Sequence, residues 1–339
     1  MSVGVAVLVL LAPAGMGAVS ASAASPPAPL TMGDWQAEIG QLAAPGSGCF
    51  HAAFPVVAWE AAPCVAAPEW PLAPVSPPGI PDTVGNGVDF AASVSGLISK
   101  ATGTFADVSS KISEKGKIDN SGSELPNEFT LQLNTQFFSG SPACAGSSDP
   151  SKCLGWQQFL YESNNNLVFM QYWLIYYEAT CPAGWLSDSG DCYVNSVAST
   201  LSGAPLTAKS LATLSLVGSA TAGGQDEVKV TTGSGKATLV TGPDSQVDLA
   251  PHWNGTEWGV FGDANGAEAF FGTGDSLEAV TKLSATSSSA PTCIKDGYTA
   301  ETNNLTLAAT PALGSESSPT MASKQTKGKS GTANCAVAA

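Results

Sequence analysis

Residues 129–138 read FTLQLNTQFF, and apolar and polar side chains alternate along this stretch. Phe129, Leu131 and Leu133 fall on one side of an extended chain, while Gln132 and Asn134 fall on the other. Such a period of two residues predicts a β-strand with one face turned toward a core. We therefore expect this segment to lie inside a sheet, and the sequence on either side should supply its partners.

Partner strands follow directly. GWQQFLYES (155–163) and LVFMQYWLIYYEA (167–179) are rich in aromatic and apolar residues, and Asn164-Asn165-Asn166 between them is typical of a turn. Further short strands are predicted at DEVKVTT (226–232), KATLVTG (236–242), TEWGVFGD (256–263), EAFFGTG (268–274), SLEAVTKLSA (276–285) and NLTLAAT (304–310). Gly, Pro, Asn and Asp separate the strands at intervals of roughly 8–12 residues, which indicates an all-β antiparallel sandwich.

The composition excludes several classes of function. The chain has 339 residues, of which 28 are acidic and 13 basic, so its net charge is -15. This charge argues against binding to nucleic-acid phosphates and to anionic membranes. Only 12% of residues are charged, against about 25% in an ordinary globular protein, which makes a coiled coil or a helical repeat a poor fit.

The sequence predicts four regions. Residues 1–23 combine an apolar run, VGVAVLVLL, with a terminal Ala-Ser-Ala, as in a secretory signal peptide, although Lys and Arg are absent before the run. A disordered, Ala-rich terminus is the alternative. Residues 24–81 form a Pro-rich segment, residues 82–312 the sandwich, and residues 313–339 a disordered tail. We therefore expect a secreted, extracellular protein.

Eight cysteines agree with this location. Three pairs enclose short turn-rich loops and are expected to form local disulfides: Cys49–Cys64, Cys144–Cys153 and Cys181–Cys192. Cys293 and Cys335 remain, either bonded to each other or free. No paired thiolate and histidine pattern suits zinc, because His51 and His252 are far apart in sequence.

Other cofactors find little support. Loop aspartates could hold calcium, but turn chemistry explains them more simply; they are Asp188, Asp191, Asp244, Asp248 and Asp263. GSGKAT (233–238) resembles a phosphate-binding loop only superficially, since no βαβ pattern surrounds it. A Ser-His-Asp triad has only two histidines to draw on, and no G-x-S-x-G turn occurs. We therefore expect no metal and no cofactor.

What remains is acid chemistry without histidine. In FMQYWLIYY, Gln171 should share a strand face with Trp173 and Tyr177, and in TEWGVFGD, Glu257 should share one with Phe261. A carboxyl group on an apolar sheet has a raised pKa and can serve as general acid or base in acid. The alternative is that both polar residues are half-exposed on a binding groove or a solvated face.

Two resemblances accompany these residues. The first is to a widespread family of uncharacterised secreted microbial proteins, and it implies an extracellular all-β protein without implying an activity. That family has a cysteine shortly after the ETNNL segment, which would pair with Cys293, whereas this chain reads TLAATPAL. The matching segments are GCFHAAFPVVAWEAAPC, FTLQLNTQFF, CLGWQQFLY, FMQYWLIYYEATCPAGW, DCYVNS, HWNGTEWGVFGD and ETNNLTL, within residues 48–310.

The second resemblance is to eqolisin-type and neprosin-type glutamic peptidases. TEWGVFGD followed by EAFFGTG is similar to their catalytic-glutamate strand, and FMQYWLIYY resembles the strand that supplies the paired polar residue. This resemblance implies a concanavalin-like jelly roll that cleaves peptide bonds in acid. Glu257 would activate water, and Gln171 would orient that water and stabilise the tetrahedral intermediate. The W-x-G-x-D-G motif of eqolisins is absent here.

Three functions therefore stand open. The chain is an acid endopeptidase with a Glu257/Gln171 dyad, a glycan-binding or cell-wall-binding protein, or a structural surface protein without a ligand. In the second case Trp173, Tyr177 and Trp156 would stack on sugar rings. We expect a monomer whose partner is a polypeptide or a polysaccharide, with Trp156, Trp173, Tyr177 and Phe261 lining the groove.

Overall fold

The computed structural model of the chain describes residues 1, 3–4, 29–73, 90–295, 299–315, 317–328 and 335. Within these ranges lie one α-helix, α1 (Met32–Gln41), and three 3₁₀ helices, Pro142–Gly146, Ala208–Thr213 and Asp244–Gln246. The strands are, in chain order, β1 (Cys49–Ala53), β2 (Glu60–Ala62), β3 (Phe90–Ser93), β4 (Ile98–Ala106), β5 (Glu114–Gly116), β6 (Leu125–Pro126), β7 (Thr130–Thr135), β8 (Leu154–Glu162), β9 (Leu167–Ile175), β10 (Leu186–Asp188), β11 (Asp191–Asn195), β12 (Ser199–Thr200), β13 (Ser215–Ser219), β14 (Gln225–Thr232), β15 (Lys236–Pro243), β16 (Gly255–Phe261), β17 (Glu268–Phe271), β18 (Ser276–Ala285), β19 (Thr292–Lys295), β20 (Thr302–Asn303), β21 (Thr306–Leu307), β22 (Ala312–Gly314) and β23 (Thr320–Thr326).

These strands form three sheets. Sheet I has ten strands in the order β2-β1-β15-β14-β13-β4-β18-β23-β21, with β22 beside β23. Sheet II has nine in the order β10-β11-β9-β8-β7-β16-β3-β19, with β12 beside β9. A four-stranded sheet III has the order β20-β17-β5-β6. Every described pairing in sheets I and II is antiparallel.

Sheets I and II pack face to face. Because side chains alternate along each strand, the two faces of sheet II have different surroundings. One face meets sheet I in the main core, whose members include Leu131, Leu133, Phe159, Met170 and Tyr172 from sheet II and Leu216, Val228, Val230 and Val240 from sheet I. We call the opposite face of sheet II the outer face. The prediction of an antiparallel β-sandwich is confirmed.

A close contact between the sheets fixes the position of β16. The Trp258 ring lies directly over Gly103 of β4, so close that a Cβ atom on Gly103 would come 2.2 Å from Trp258 Cδ2. Trp258 Nε1 also donates to the Thr104 carbonyl at 3.0 Å, and its ring centroid lies 4.9 Å from that of Phe105. Only glycine permits this approach. The contact holds β16 in place, and with it Glu257, which precedes Trp258 on that strand.

The Pro-rich segment, residues 24–81, contributes two strands, β1 and β2, to sheet I. Strand β1 pairs with β15, with Cys49 opposite Val240 and Ala53 opposite Lys236. Helix α1, which the sequence reading missed, begins with a capping box between Thr31 and Asp34. The predicted signal peptide lies almost entirely outside the described residues.

The prediction of a disordered tail is wrong for Thr320–Thr326. These residues form β23, which pairs with β18 and places Met321 opposite Thr281. Met321, Ser323 and Gln325 are buried, so the strand alternates in the usual way. The sequence hid this strand because two of its three inward side chains are polar. Beyond residue 328, Cys335 is the one tail residue that the structure describes.

The three expected disulfides form, between Cys49 and Cys64, Cys144 and Cys153, and Cys181 and Cys192. Cys293 and Cys335, left open by the sequence, form a fourth and close a loop of sequence separation 42. Such cross-links stabilise a fold mainly by restricting the unfolded chain. In the described part of the chain, no helix has the length and hydropathy that a membrane span requires.

Candidate active site on the outer face of sheet II

Four polar side chains form a row across four neighbouring strands. Gln171 on β9 lies opposite Gln158 on β8, Gln158 lies opposite Asn134 on β7, and Asn134 lies opposite Glu257 on β16. All four are fully buried. Because paired residues in a sheet project to the same side, these four side chains share the outer face.

Hydrogen bonds join the row into one network. Asn134 Nδ2 donates to Glu257 Oε2 at 3.0 Å and to Gln132 Oε1 at 3.1 Å. Gln158 Nε2 donates to the same Gln132 oxygen at 3.0 Å. Trp173 Nε1 then lies between the last two amides, 3.2 Å from Gln158 Oε1 and 3.0 Å from Gln171 Oε1. These bonds orient every carboxamide between Glu257 and Gln171.

The structure does not place Gln171 beside Glu257. Strands β8 and β7 lie between β9 and β16, so the two backbones are separated by about 14 Å, or roughly three strand spacings of 4.8 Å. Asn134, on the strand next to β16, is a side chain that does contact Glu257. The sequence had placed Asn134 on the polar face of its strand, but strand alternation alone does not reveal which strand lies beside β16.

Aromatic side chains flank the row. Trp156 and Trp173 lie on the outer face with ring centroids 6.1 Å apart, and Trp173 stacks on Tyr193 at 4.9 Å. Phe261, at the other end of the face, lies opposite Thr130. The rings of Trp156, Trp173 and Phe261 are all buried, and their role in lining a substrate groove stays a prediction.

Tyr177 does not line the groove. Strand β9 ends at Ile175, and Tyr176 adopts a positive φ of 56°, which breaks the alternation expected from the sequence. Tyr177 therefore packs in the main core between the sheets, where its hydroxyl approaches Gly146. A positive φ at a non-glycine residue carries no clear sequence signal, so the end of the strand was missed.

Residues 68–73 lie across the outer face, and we call them the strap. Gln171 Nε2 donates to the Trp70 carbonyl at 3.2 Å, and Gln171 Oε1 accepts from Leu72 N at 2.8 Å. Tyr193 Oη donates to the Glu69 carbonyl at 2.8 Å. The sequence had predicted an extended Pro-rich stretch here, but it gave no indication that the stretch lies on the candidate site.

Three carboxyl groups cluster next to Phe261. Oxygens of Glu128, Glu162 and Asp263 lie within 4.8 Å of one another, and all three residues are buried. Burial raises the pKa of Asp263 well above its ordinary value, and the neighbouring Glu162 and Glu128 carboxyls raise it further. Burial likewise raises the pKa values of Glu162 and Glu128. This spacing suits shared protons or a divalent cation.

Of the loop aspartates considered for calcium, Asp263 belongs to this cluster, whereas Asp244 lies near Asp226. Asp244 accepts from the main-chain N–H groups of Ala250 at 2.9 Å and Gly223 at 3.2 Å. Burial raises the pKa of Asp226 well above its usual value, and the Asp244 carboxyl raises it further. The protein therefore keeps several carboxyl groups in surroundings that favour the protonated form.

Comparisons with known proteins find little. No protein-family model and no curated protein matches the chain, so membership in a widespread secreted family stays a prediction. Two solved structures are similar, both of scytalido-glutamic peptidase. The complex with a peptide-based transition-state analogue has a TM-score of 0.31 and a sequence identity of 10%. The complex with a transition-state analogue inhibitor has a TM-score of 0.32 and a sequence identity of 11%. Each match covers 70% of this chain and 97% of the other. At these scores the likeness carries no argument about activity.

Proposed function

We propose that the protein is a secreted, acid-active endopeptidase in which Glu257 is the general base. The observation that carries this proposal is the environment of Glu257. Its side chain is fully buried in the middle of sheet II, and its carboxylate accepts a hydrogen bond from Asn134. A row of oriented carboxamides continues from it along the same face. A buried carboxylate whose direction is fixed by a neutral amide is suited to accept a proton from water.

The chemistry needs only this face. Glu257 takes a proton from a water molecule as the water oxygen attacks the peptide carbonyl carbon, and the carbonyl oxygen becomes an oxyanion. The carboxamide nitrogen of Gln158 donates one hydrogen to Gln132 Oε1 and has a second with which to stabilise that oxyanion. The protonated Glu257 then gives its proton to the leaving nitrogen as the carbon–nitrogen bond breaks, which restores the carboxylate.

In this mechanism Gln171 binds the peptide backbone instead of acting beside Glu257. Its amide already makes such contacts, since it donates to the Trp70 carbonyl and accepts from Leu72 N in the strap. A carboxamide that offers one donor and one acceptor recognises a peptide unit in this manner. The predicted dyad therefore becomes a base at one end of the row and a peptide-binding amide at the other.

The extracellular location rests on the four disulfides, which persist in oxidising compartments. A monomeric protein that acts on polypeptides, with no nucleic-acid or membrane partner, agrees with the net charge of -15. No specific observation favours the glycan-binding alternative. Its aromatic residues, Trp156, Trp173 and Tyr177, are buried and offer no exposed platform for sugar rings.

The test is cleavage of an acid-unfolded protein between pH 2 and pH 7 by the full secreted chain. Glu257→Gln keeps the size of the side chain and removes the base, so we expect activity to fall about 10³-fold. Glu60→Gln, an exposed carboxyl on β2, is the matched control and should retain full activity. Cleavage that survives Glu257→Gln would contradict the proposal, as would the absence of cleavage both in the native chain and after displacement of the strap.

A further inference from the structure

The strap is bound through its backbone. Each of its six residues uses at least one main-chain polar atom in a hydrogen bond to the rest of the protein. The accepting carbonyls are those of Pro68 (from Asn195 Nδ2, 2.6 Å), Glu69 (from Tyr193 Oη, 2.8 Å), Trp70 (from Gln171 Nε2, 3.2 Å), Pro71 (from Asn265 N, 3.2 Å) and Ala73 (from Ala300 N, 2.8 Å). The donating N–H groups are those of Leu72 (to Gln171 Oε1, 2.8 Å) and Ala73 (to Glu301 Oε1, 3.2 Å). Contacts of this kind recognise an extended peptide whatever its sequence.

One strap side chain, that of Leu72, is also bound by the protein. Leu72 is fully buried and packs in an apolar cluster with Leu160, Phe169 and Ala264. By contrast, Glu69 is exposed and Trp70 is partly buried. The outer face therefore holds one pocket that suits a leucine-sized apolar side chain, next to an amide, that of Gln171, which binds the adjoining peptide units.

We propose that the outer face of sheet II is a binding groove for extended peptides with an apolar residue in the Leu72 pocket, and that the strap is its resident occupant. This rests on the proposed function and names its substrate class. The strap engages both ends of the Gln171 amide, because Leu72 N donates to its oxygen and its nitrogen donates to the Trp70 carbonyl. The remaining bonds of that amide are internal to sheet II, from Trp173 Nε1 to the oxygen and from the nitrogen to Asn195 Oδ1. A substrate can use Gln171 only after the strap leaves.

The strap competes with free peptides for the groove. The strap is part of the chain, so it is present at a high effective concentration and a free peptide of the same sequence must compete with it. Replacing Leu72 by Asp puts a charge into the apolar pocket and should release the strap while leaving the groove intact. The freed groove should then accept a peptide from solution.

The test is the binding of a fluorescein-labelled peptide, AAPEWPLA (residues 66–73), followed by fluorescence anisotropy at pH 7, where the aspartate is charged. Every protein carries Glu257→Gln, so binding is measured without cleavage. We expect Leu72→Asp to bind the peptide at least tenfold more tightly than the parent. Leu97→Asp, at a residue 41% exposed, is the matched control and should bind like the parent.

A second arm tests the pocket through the peptide itself. On the Leu72→Asp protein, a peptide with Asp at the Leu72 position should bind at least tenfold more weakly than AAPEWPLA. Equal binding of the two peptides would overturn the apolar pocket, and equal binding by parent and Leu72→Asp would overturn the strap as occupant. If Leu72→Asp does not fold, Leu72→Ala takes its place, and the same comparisons decide.

These outcomes separate the groove from the proposed chemistry. Peptide binding that follows both expectations, together with no cleavage by the Leu72→Asp chain carrying native Glu257, would keep the groove and reject the peptidase. Glu257-dependent cleavage that shows no preference for an apolar residue and no response to Leu72→Asp would keep the peptidase and reject the groove.

Discussion

Asn134 on β7 donates a hydrogen bond of 3.0 Å to the Glu257 carboxylate on the neighbouring strand β16. This bond stabilises the charged form of Glu257 and fixes the direction of its side chain. The second acceptor of the same amide nitrogen, Gln132 Oε1, keeps Asn134 from rotating. The carboxylate is therefore held by an amide that is itself held by another.

We predict that Asn134→Ala lowers kcat about 10–100-fold with a smaller change in KM. The variant removes the amide that fixes the direction of the Glu257 carboxylate, so the base should be poorly aimed at its water, while peptide binding through Gln171 is retained. The check is the measurement of kcat and KM on a peptide substrate at the pH of highest activity.

The matched control for this experiment is Asn164→Ala, in the exposed turn between β8 and β9. It should leave both kcat and KM unchanged. An Asn134→Ala enzyme with the native kcat would show that this amide does not position Glu257.

The sequence predicts the strands that carry the candidate site, β7, β8, β9 and β16, but not which of them lie side by side, and it gives no sign of others such as β4 and β13. Alternation in FTLQLNTQFF predicts Asn134 on the polar face of its strand, and alternation in TEWGVFGD predicts Glu257 on the same face as Phe261. In the structure Asn134 lies opposite Glu257 on the outer face of sheet II. Strand order depends on long-range contacts that no local pattern encodes. For this reason the contact between these two residues was missed and Gln171 was given the place of Asn134.

Local irregularity explains most of the other errors. The left-handed backbone at Tyr176 turned Tyr177 into the core against the expected alternation. In β23 the inward positions hold Ser323 and Gln325 beside a single Met321, so composition suggested disorder where β18 supplies a partner. The strap was missed because a Pro-rich extended stretch has the same sequence signature whether it is solvated or bound.

We next predict that the protein is more stable in acid than at neutral pH. Burial, together with the Glu128 carboxyl, raises the pKa of Glu114 to about 9. Between its unfolded pKa of about 4.3 and this value, the folded protein binds the proton and the unfolded chain does not. Stability contributed by this group is therefore fully present below the unfolded pKa and falls as pH rises.

The measurement is the melting temperature by circular dichroism from pH 3 to pH 9. We expect it to decrease steadily between pH 5 and pH 9. Glu114→Gln, neutral at every pH, should flatten this decrease, while Glu60→Gln, at an exposed position, should leave it unchanged. A melting temperature that rises with pH over this range would contradict the prediction.

The carboxyl cluster leads to a second stability prediction. At pH 7.5 the Asp263→Asn substitution should raise the melting temperature by a few degrees, since it removes one acid from the group of Glu128, Glu162 and Asp263 and supplies an N–H donor to the other two. At pH 4, where the native cluster is protonated, the variant and the native protein should melt within about one degree of each other.

Differential scanning calorimetry at both pH values checks this prediction, with Asp188→Asn, at a half-buried carboxyl outside the cluster, as the control. A lower melting temperature for Asp263→Asn at pH 7.5 would mean that the cluster is stabilised there by something other than protons. Adding Ca²⁺ or removing it with a chelator would then identify a bound cation, because only the native cluster would respond.

The packing of Trp258 on Gly103 leads to the last prediction. A methyl group at Gly103 would come within 2.2 Å of the Trp258 ring, so Gly103→Ala must push β16 away from β4 or rotate the indole. We expect a loss of about 1–3 kcal/mol in unfolding free energy, measured by urea denaturation. Because Glu257 precedes Trp258 on the same strand, kcat should fall as well.

The control is Gly33→Ala, in helix α1 with nothing within 4 Å of the added atom, which should be neutral or slightly stabilising. If Gly103→Ala matched it in stability and activity, the contact would not be what positions Glu257.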